Sequence, residues 1–270
     1  MDDAIRLAFE VFGQLDKKII SVNPSFEMYS VYSKMYGMHH VPIHFNEKFE
    51  VDIEEIIDSI DKNTGIVSLL NPNSPIGKSW NENQIIRIIE KAKENQAVII
   101  IDEVYYYFNP ISFLDLIYEY DKLMIFRTFT KLLSIAGGRI GYIVSNYKMI
   151  DMLKRASGTY PVNCFAIKFA EKLLENPSII ENLIKIEKEG REFLISKLKT
   201  NNYDYYCNGG NYILIRSNKM PKELFDMLKE RKILIKTYNN PILVDWIRIT
   251  TGGIESMKLF WNEFEKLDLL

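Results

Sequence analysis

Apolar positions along the chain recur in two alternating rhythms. Ile5, Ala8, Phe9 and Phe12 recur at helical spacing, so 1–13 reads as an amphipathic helix. Short apolar runs at 18–22, 41–45, 65–70, 97–101, 122–126 and 142–145 read as strands. Between them, 26–36, 52–60 and 81–95 read as helices, the last with Ile85, Ile88 and Ile89 on its apolar side. The run AVIII at 97–101 is apolar without interruption, the pattern of a strand covered on both faces. Strands separated by helices build βαβ units, which predicts an α/β fold with a mostly parallel sheet and helices on both faces. Ligands of such sheets sit beyond the carboxyl ends of the strands.

From about residue 146 the rhythm changes. Helical stretches at 147–156, 163–175 and 178–199 precede strands at 212–216, 233–237 and 246–250, with further helices at 221–231 and 253–266. This predicts a large domain over 1–160 and a smaller α+β domain over 161–270.

Composition narrows the function class. Within 270 residues, 34 cationic side chains are interleaved with 36 acidic ones, for a net charge of −2. With no basic excess, neither nucleic acid nor an anionic membrane is an expected partner. No apolar run approaches the roughly 18–20 residues a membrane helix needs. Asp2 and Asp3 stand where a secretion signal carries basic residues, so a cytoplasmic protein is expected. Cys164 and Cys207 are too few for a disulfide framework and suit a reducing compartment. His39, His40 and His44 share one stretch, but the first two are adjacent and point apart, so no metal site is expected.

Three polar segments follow apolar runs and carry the candidate chemistry. Lys131 ends Thr128-Phe129-Thr130-Lys131 at the ligand edge of a buried strand. Burial disfavours an ammonium there, which is what a Schiff-base lysine requires. Thr128 and Thr130 offer hydroxyls for phosphate oxygens, and Arg139 follows Ala136-Gly137-Gly138 with a bidentate fork. Asp102 directly follows AVIII, where a carboxylate must be paired; a protonated pyridine nitrogen is one suitable partner. Two prolines and a glycine in Asn71-Pro72-Asn73-Ser74-Pro75-Ile76-Gly77 set a turn that leaves short polar side chains for the ligand edge. Taken singly, a solvated lysine, a capping aspartate and a plain turn explain these features better.

Together and in this order, the segments resemble the fold-type-I pyridoxal-phosphate enzymes of class I/II aminotransferases, in the histidinol-phosphate aminotransferase-like branch. NPNSPIG resembles the family's NPNNPTG, DEVYYYF its DEAYxxF, and TFTKLLSIAGGRIGY its TFSKAxGLAGLRxGY. VNPSFEMYSVYSKMYG is similar to the segment with the aromatic that stacks on the cofactor, YPVN to a turn after the lysine, and WIRIT to the strand with the substrate arginine. The resemblance implies pyridoxal 5′-phosphate as cofactor and Lys131 as its covalent partner and proton carrier. It implies Asp102 on the pyridine nitrogen, Tyr105 and Ser74 at the 3′ oxygen, and Phe26 against the ring. Thr128, Thr130, Arg139 and Asp2 then fall at the phosphate, and Arg248 and Lys236 at the substrate. The implied partners are an amino donor, a 2-oxo acid acceptor and a second copy of the chain.

Three departures qualify the match. Ser74 replaces an asparagine of the family, and Ile76 a threonine. Family members also carry several dozen residues before the point matching Met1, so the phosphate-binding GSDE-like turn falls on Met1-Asp2-Asp3 without its glycine. A fragment, a mis-started frame or a shortened paralogue is therefore expected, with weakened turnover. The leading function is amino transfer between an amino acid or amino-alcohol phosphate and a 2-oxo acid. Decarboxylation of a phosphorylated amino acid, of the threonine-phosphate decarboxylase type, and an inactive remnant are the alternatives.

Overall fold

The structure is a computed structural model and describes residues 1–268. The chain divides into two compact units, Met1–Glu175 and Asn176–Leu270. The sequence expectation put the divide at 160/161; the helix Cys164–Leu174 instead packs with the first unit.

The first unit is built on a six-stranded sheet. Its strands are β1 (Lys18–Asn23), β2 (His39–His44), β3 (Thr64–Leu70), β4 (Val98–Asp102), β5 (Leu123–Thr128) and β6 (Gly141–Val144). They lie in the order β2-β1-β3-β4-β5-β6, all parallel except β6, which returns antiparallel to β5. The chain steps to one side from β1 to β2 and to the other side from β2 onward, so the strand order reverses between β1 and β3. That switch point is where open α/β sheets leave a crevice for ligands. β4 is buried along its whole length, in keeping with its unbroken apolar run.

Helices α1 (Asp2–Phe12), α2 (Met28–Met35) and α5 (Tyr147–Ala156) share one core cluster with the sheet. Ile5, Phe9, Tyr29, Tyr32, Met149 and Leu153 meet Ile19, Ile66, Ile100 and Met124 there. α3 (Ile53–Ser59) and α4 (Glu82–Glu94) pack on each other, outside that cluster. α4 opens with a capping box, in which Asn81 and Gln84 satisfy each other's backbone N–H groups. α6 (Cys164–Leu174) closes the unit.

The second unit holds an antiparallel sheet of β7 (Tyr205–Tyr206), β8 (Tyr212–Arg216) and β9 (Trp246–Thr250), with α7 (Pro177–Thr200), α8 (Pro221–Glu230) and α9 (Ile254–Asp268). Ile213, Ile215 and Ile247 pack there with Leu194, Leu198, Leu224, Trp261 and Phe264. Two details differ from expectation. The run at 233–237 forms no strand: only Lys236 bridges to Arg248, while Leu234 turns to solvent. β7 lies in the polar stretch NNYDYYCNGG, where two residues are too short to show a period. Among the described residues no helix is long and apolar enough to cross a membrane.

Candidate active site

A cavity of about 280 Å³ opens beyond the carboxyl ends of the central strands of the first unit. Phe26 reaches it from the segment after β1, Ser74 from the turn after β3, and Asp102 and Tyr105 from the end of β4. Thr128, Thr130, Lys131 and Arg139 come from β5 and the loop to β6, and Asp2 from the start of α1. Every candidate cofactor residue of the first unit thus lines one cavity. Arg248 and Lys236 belong to the second unit.

Asp102 is 2% exposed at the last position of β4. Burial pushes its carboxyl up to about 6. Opposing that shift, the Tyr29 hydroxyl donates to Oδ2 at 2.9 Å and the Val104 N–H to Oδ1 at 3.3 Å. The Tyr29 hydroxyl is itself held well above the usual phenol range, first by burial and then by the neighbouring carboxylate, so it stays a donor. Tyr29 was missed in the sequence because it falls on the apolar face of α2 like any core aromatic. The available signal was Asp102 itself, since a buried carboxylate requires a donor.

Lys131 is partly buried, with Nζ 4.9 Å from the centre of the Tyr105 ring. The Tyr105 hydroxyl faces Ser74 Oγ at 3.5 Å. Thr128 and Thr130 pair through their hydroxyls at 2.9 Å, and the Thr130 N–H donates to Thr128 Oγ1 at 3.2 Å. Arg139 holds left-handed backbone angles, φ 51° and ψ 40°, which cost a non-glycine residue energy and often mark functional loops. Its guanidinium donates to Asp2 Oδ2 at 3.2 Å. Asp2 and the positive end of α1 meet at this edge of the cavity, while Asp3 turns away to pair with Arg6.

Neighbouring residues hold this arrangement. In the turn after β3 only Ser74 faces the cavity, because Asn71 and Asn73 are fully buried and bond inward. Asn71 accepts from the Trp80 N–H and donates to the Ile111 carbonyl; Asn73 donates to the carbonyl of Pro24, two residues before Phe26. Glu103, 1% exposed, accepts from Arg127, Ser112 and the Phe113 N–H, and so ties the loop after β4 to β5. Arg127 lies over the Tyr106 ring, 3.9 Å from its centre.

In the second unit, Lys236 and Arg248 exchange backbone hydrogen bonds of 3.1 and 2.8 Å. The Arg248 guanidinium lies over the Tyr212 ring, 4.9 Å from its centre. Just past Arg248, the Thr251 hydroxyl donates to the buried carboxylate of Glu187, which also pairs with Arg191. This anchors the end of β9 to α7.

The family model for aminotransferase class I and II matches residues 2–259. The chain belongs to that family. It is 30% identical over 268 residues to a histidinol-phosphate aminotransferase of Clostridium kluyveri, covering 98% of this chain and 75% of that protein. A histidinol-phosphate aminotransferase of Pyrococcus furiosus is 32% identical over 270 residues, covering 97% and 75%. Among solved structures, a histidinol-phosphate aminotransferase from Clostridium acetobutylicum superposes with a TM-score of 0.90 at 26% identity, covering 99% of this chain and 81% of that one. The fold is that of the fold-type-I pyridoxal-phosphate enzymes, and the chain is a pyridoxal-phosphate-dependent aminotransferase. Its reactants are amino and keto acids. The cavity suits that cofactor: an enclosed acid for a cationic ring nitrogen, a lysine, paired hydroxyls and a guanidinium for a phosphate all converge in about 280 Å³.

Proposed function

We propose that this aminotransferase moves an amino group between an amino acid or amino-alcohol phosphate and a 2-oxo acid, at the cavity built around Lys131. The observation that carries the reading is the convergence of Lys131, Asp102, Tyr105, Ser74, Phe26, Thr128, Thr130, Arg139 and Asp2 on one space. When bound, pyridoxal phosphate supplies a carbonyl for the amino group and an electron sink for the reacting α carbon. Lys131 Nζ is the catalytic amine: it would hold the cofactor through its carbonyl carbon and, once the substrate's amino group has displaced it there, the freed amine would carry the proton released from the substrate's α carbon.

The remaining residues bind and orient. Anionic Asp102 holds the ring nitrogen in its protonated form, and Phe26 covers one ring face. Tyr105 and Ser74 donate to the ring's oxygen substituent. Thr128, Thr130, Arg139 and the N–H groups opening α1 hold the phosphate. Asp2, paired with Arg139, orients the guanidinium; a carboxylate repels phosphate and so contributes indirectly. Arg248 receives the anionic end of the substrate, aided by Lys236, whose charge lacks the bidentate fork.

The same reading extends to a homodimer. On α6, Phe165 and Phe169 stand four residues apart on one face, 84% and 55% exposed, and Tyr160 just before is 92% exposed. An apolar patch on this scale is costly in water and suits a second copy.

The test combines labelling with product analysis. Borohydride treatment with pyridoxal phosphate should attach the pyridoxyl group to the peptide holding Lys131. A panel of amino donors, histidinol phosphate and aromatic amino acids included, should yield keto product equal to the 2-oxo acid consumed, without carbon dioxide. Label on another peptide overturns the assignment of Lys131. Stoichiometric carbon dioxide release in place of amino transfer overturns the substrate reading.

A further inference from the structure

The strongest polar contact on Asp102 comes from a side chain outside the cavity's expected set. Tyr29 and Asp102 are 1% and 2% exposed, and their bond at 2.9 Å is shorter than the 3.3 Å bond from the Val104 N–H. At that length the backbone bond is a weak one. Tyr29 lies in the first turn of α2 and its N–H donates to the carbonyl of Phe26 at 3.3 Å. One turn of chain therefore carries both the ring lining the cavity and the hydroxyl that grips the acid.

We propose that Tyr29 is a positioning residue for the cofactor acid: its buried hydroxyl holds Asp102 anionic and aimed, so that the carboxylate can pair with a cationic ring nitrogen. The proposal rests on the reading that Asp102 faces that nitrogen. Without the hydroxyl, a buried carboxylate keeps one long backbone bond, and the proton becomes its cheapest partner. Other groups act on Asp102 from each neighbouring element. The Met1 amino group at the start of α1 and Lys131 after β5 both favour the anion, more weakly than Tyr29 does. Ser68 on β3 acts on Tyr29 in the opposite sense to burial and Asp102, and less strongly than either.

Cofactor affinity measured against pH tests this, using pyridoxal phosphate and the analogue in which the ring nitrogen is replaced by C–H. The ratio of the two dissociation constants isolates the nitrogen contact, because Lys131 and phosphate titrations are common to both ligands. For the native chain the ratio should favour pyridoxal phosphate and collapse as acid protonates Asp102. In Tyr29→Phe the collapse should move up by about one to two pH units, a tenfold to hundredfold gain in proton affinity. Site-specific 3-fluorotyrosine at position 29, a stronger donor of the same shape, should move it down, which keeps the test decisive if Tyr29→Phe folds poorly. Unmoved midpoints in both variants, with the ratio abolished in Asp102→Asn, would reduce Tyr29 to a packing residue. A ratio unaffected by Asp102→Asn would instead refute the nitrogen assignment of Asp102 itself.

Discussion

The position of Asp102 sets function against stability. Its folded-state acidity near 6 lies above the usual 3.8, so between those values the folded chain binds more protons than the unfolded one. Stability of the cofactor-free protein should fall as pH rises through that window and stay lowered above it. The difference between those two values corresponds to about 3 kcal/mol. Asp102→Asn removes the buried charge. Denaturant titrations of the cofactor-free variant from pH 4 to 8 should show a flatter profile and greater stability than native at neutral pH, with weaker binding of pyridoxal phosphate. A pH profile equally steep in the variant would place the titrating group elsewhere.

At the scale of elements, the loop after β4 is the part that most needs support. It carries Tyr105 and includes only the short 3-10 turns Tyr106–Phe108 and Leu114–Tyr118. Glu103 supplies the anchor, with Arg127 at 2.8 Å, Ser112 at 2.9 Å and the Phe113 N–H at 2.7 Å all converging on its carboxylate. Removing one partner of a buried pair leaves the other uncompensated. Glu103→Ala should cost about 3 kcal/mol, seen as a lowered denaturation midpoint at unchanged slope. Amide exchange should rise in 104–113 before it rises in β4 or β5. Uniform loss of protection across the sheet would show that the ion pair supports the core and not the loop.

For the whole molecule, the residues divide between two compact units. The cofactor candidates line a cavity of Met1–Glu175, and Arg248 lies on β9 of Asn176–Leu270. Arg248→Ala should therefore weaken donor binding by about 1.5–3 kcal/mol, the range for charge-assisted hydrogen bonds, while cofactor affinity holds. Equal losses of both would show that Arg248 serves the fold. The proposed homodimer has its own check: Phe165→Glu with Phe169→Glu should raise the dissociation constant seen by sedimentation, and an unchanged constant would move the interface off α6.

The local sequence determined most elements, because apolar period and capping residues act over one or two turns. AVIII at 97–101 has the length and β-branched content expected of an interior strand, and Asn81 and Asn146 cap helices α4 and α5 through neighbours three residues away. The ordered motifs around Asp102, Lys131 and Arg139 were legible for the same reason: each is contiguous. What the tertiary structure decided lies between segments far apart in the chain. The antiparallel return of β6 depends on how the loop of Lys131 closes, and the single bridge at Lys236 depends on how little of 233–237 reaches β9. Asn71 and Asn73 look like ligand-facing polar residues in a turn, yet packing drives both inward and leaves Ser74 at the cavity. Tyr29 meets Asp102 across 73 residues of sequence, and no periodicity encodes that meeting. It follows from burial, which obliges a carboxylate to find a donor wherever the fold brings one.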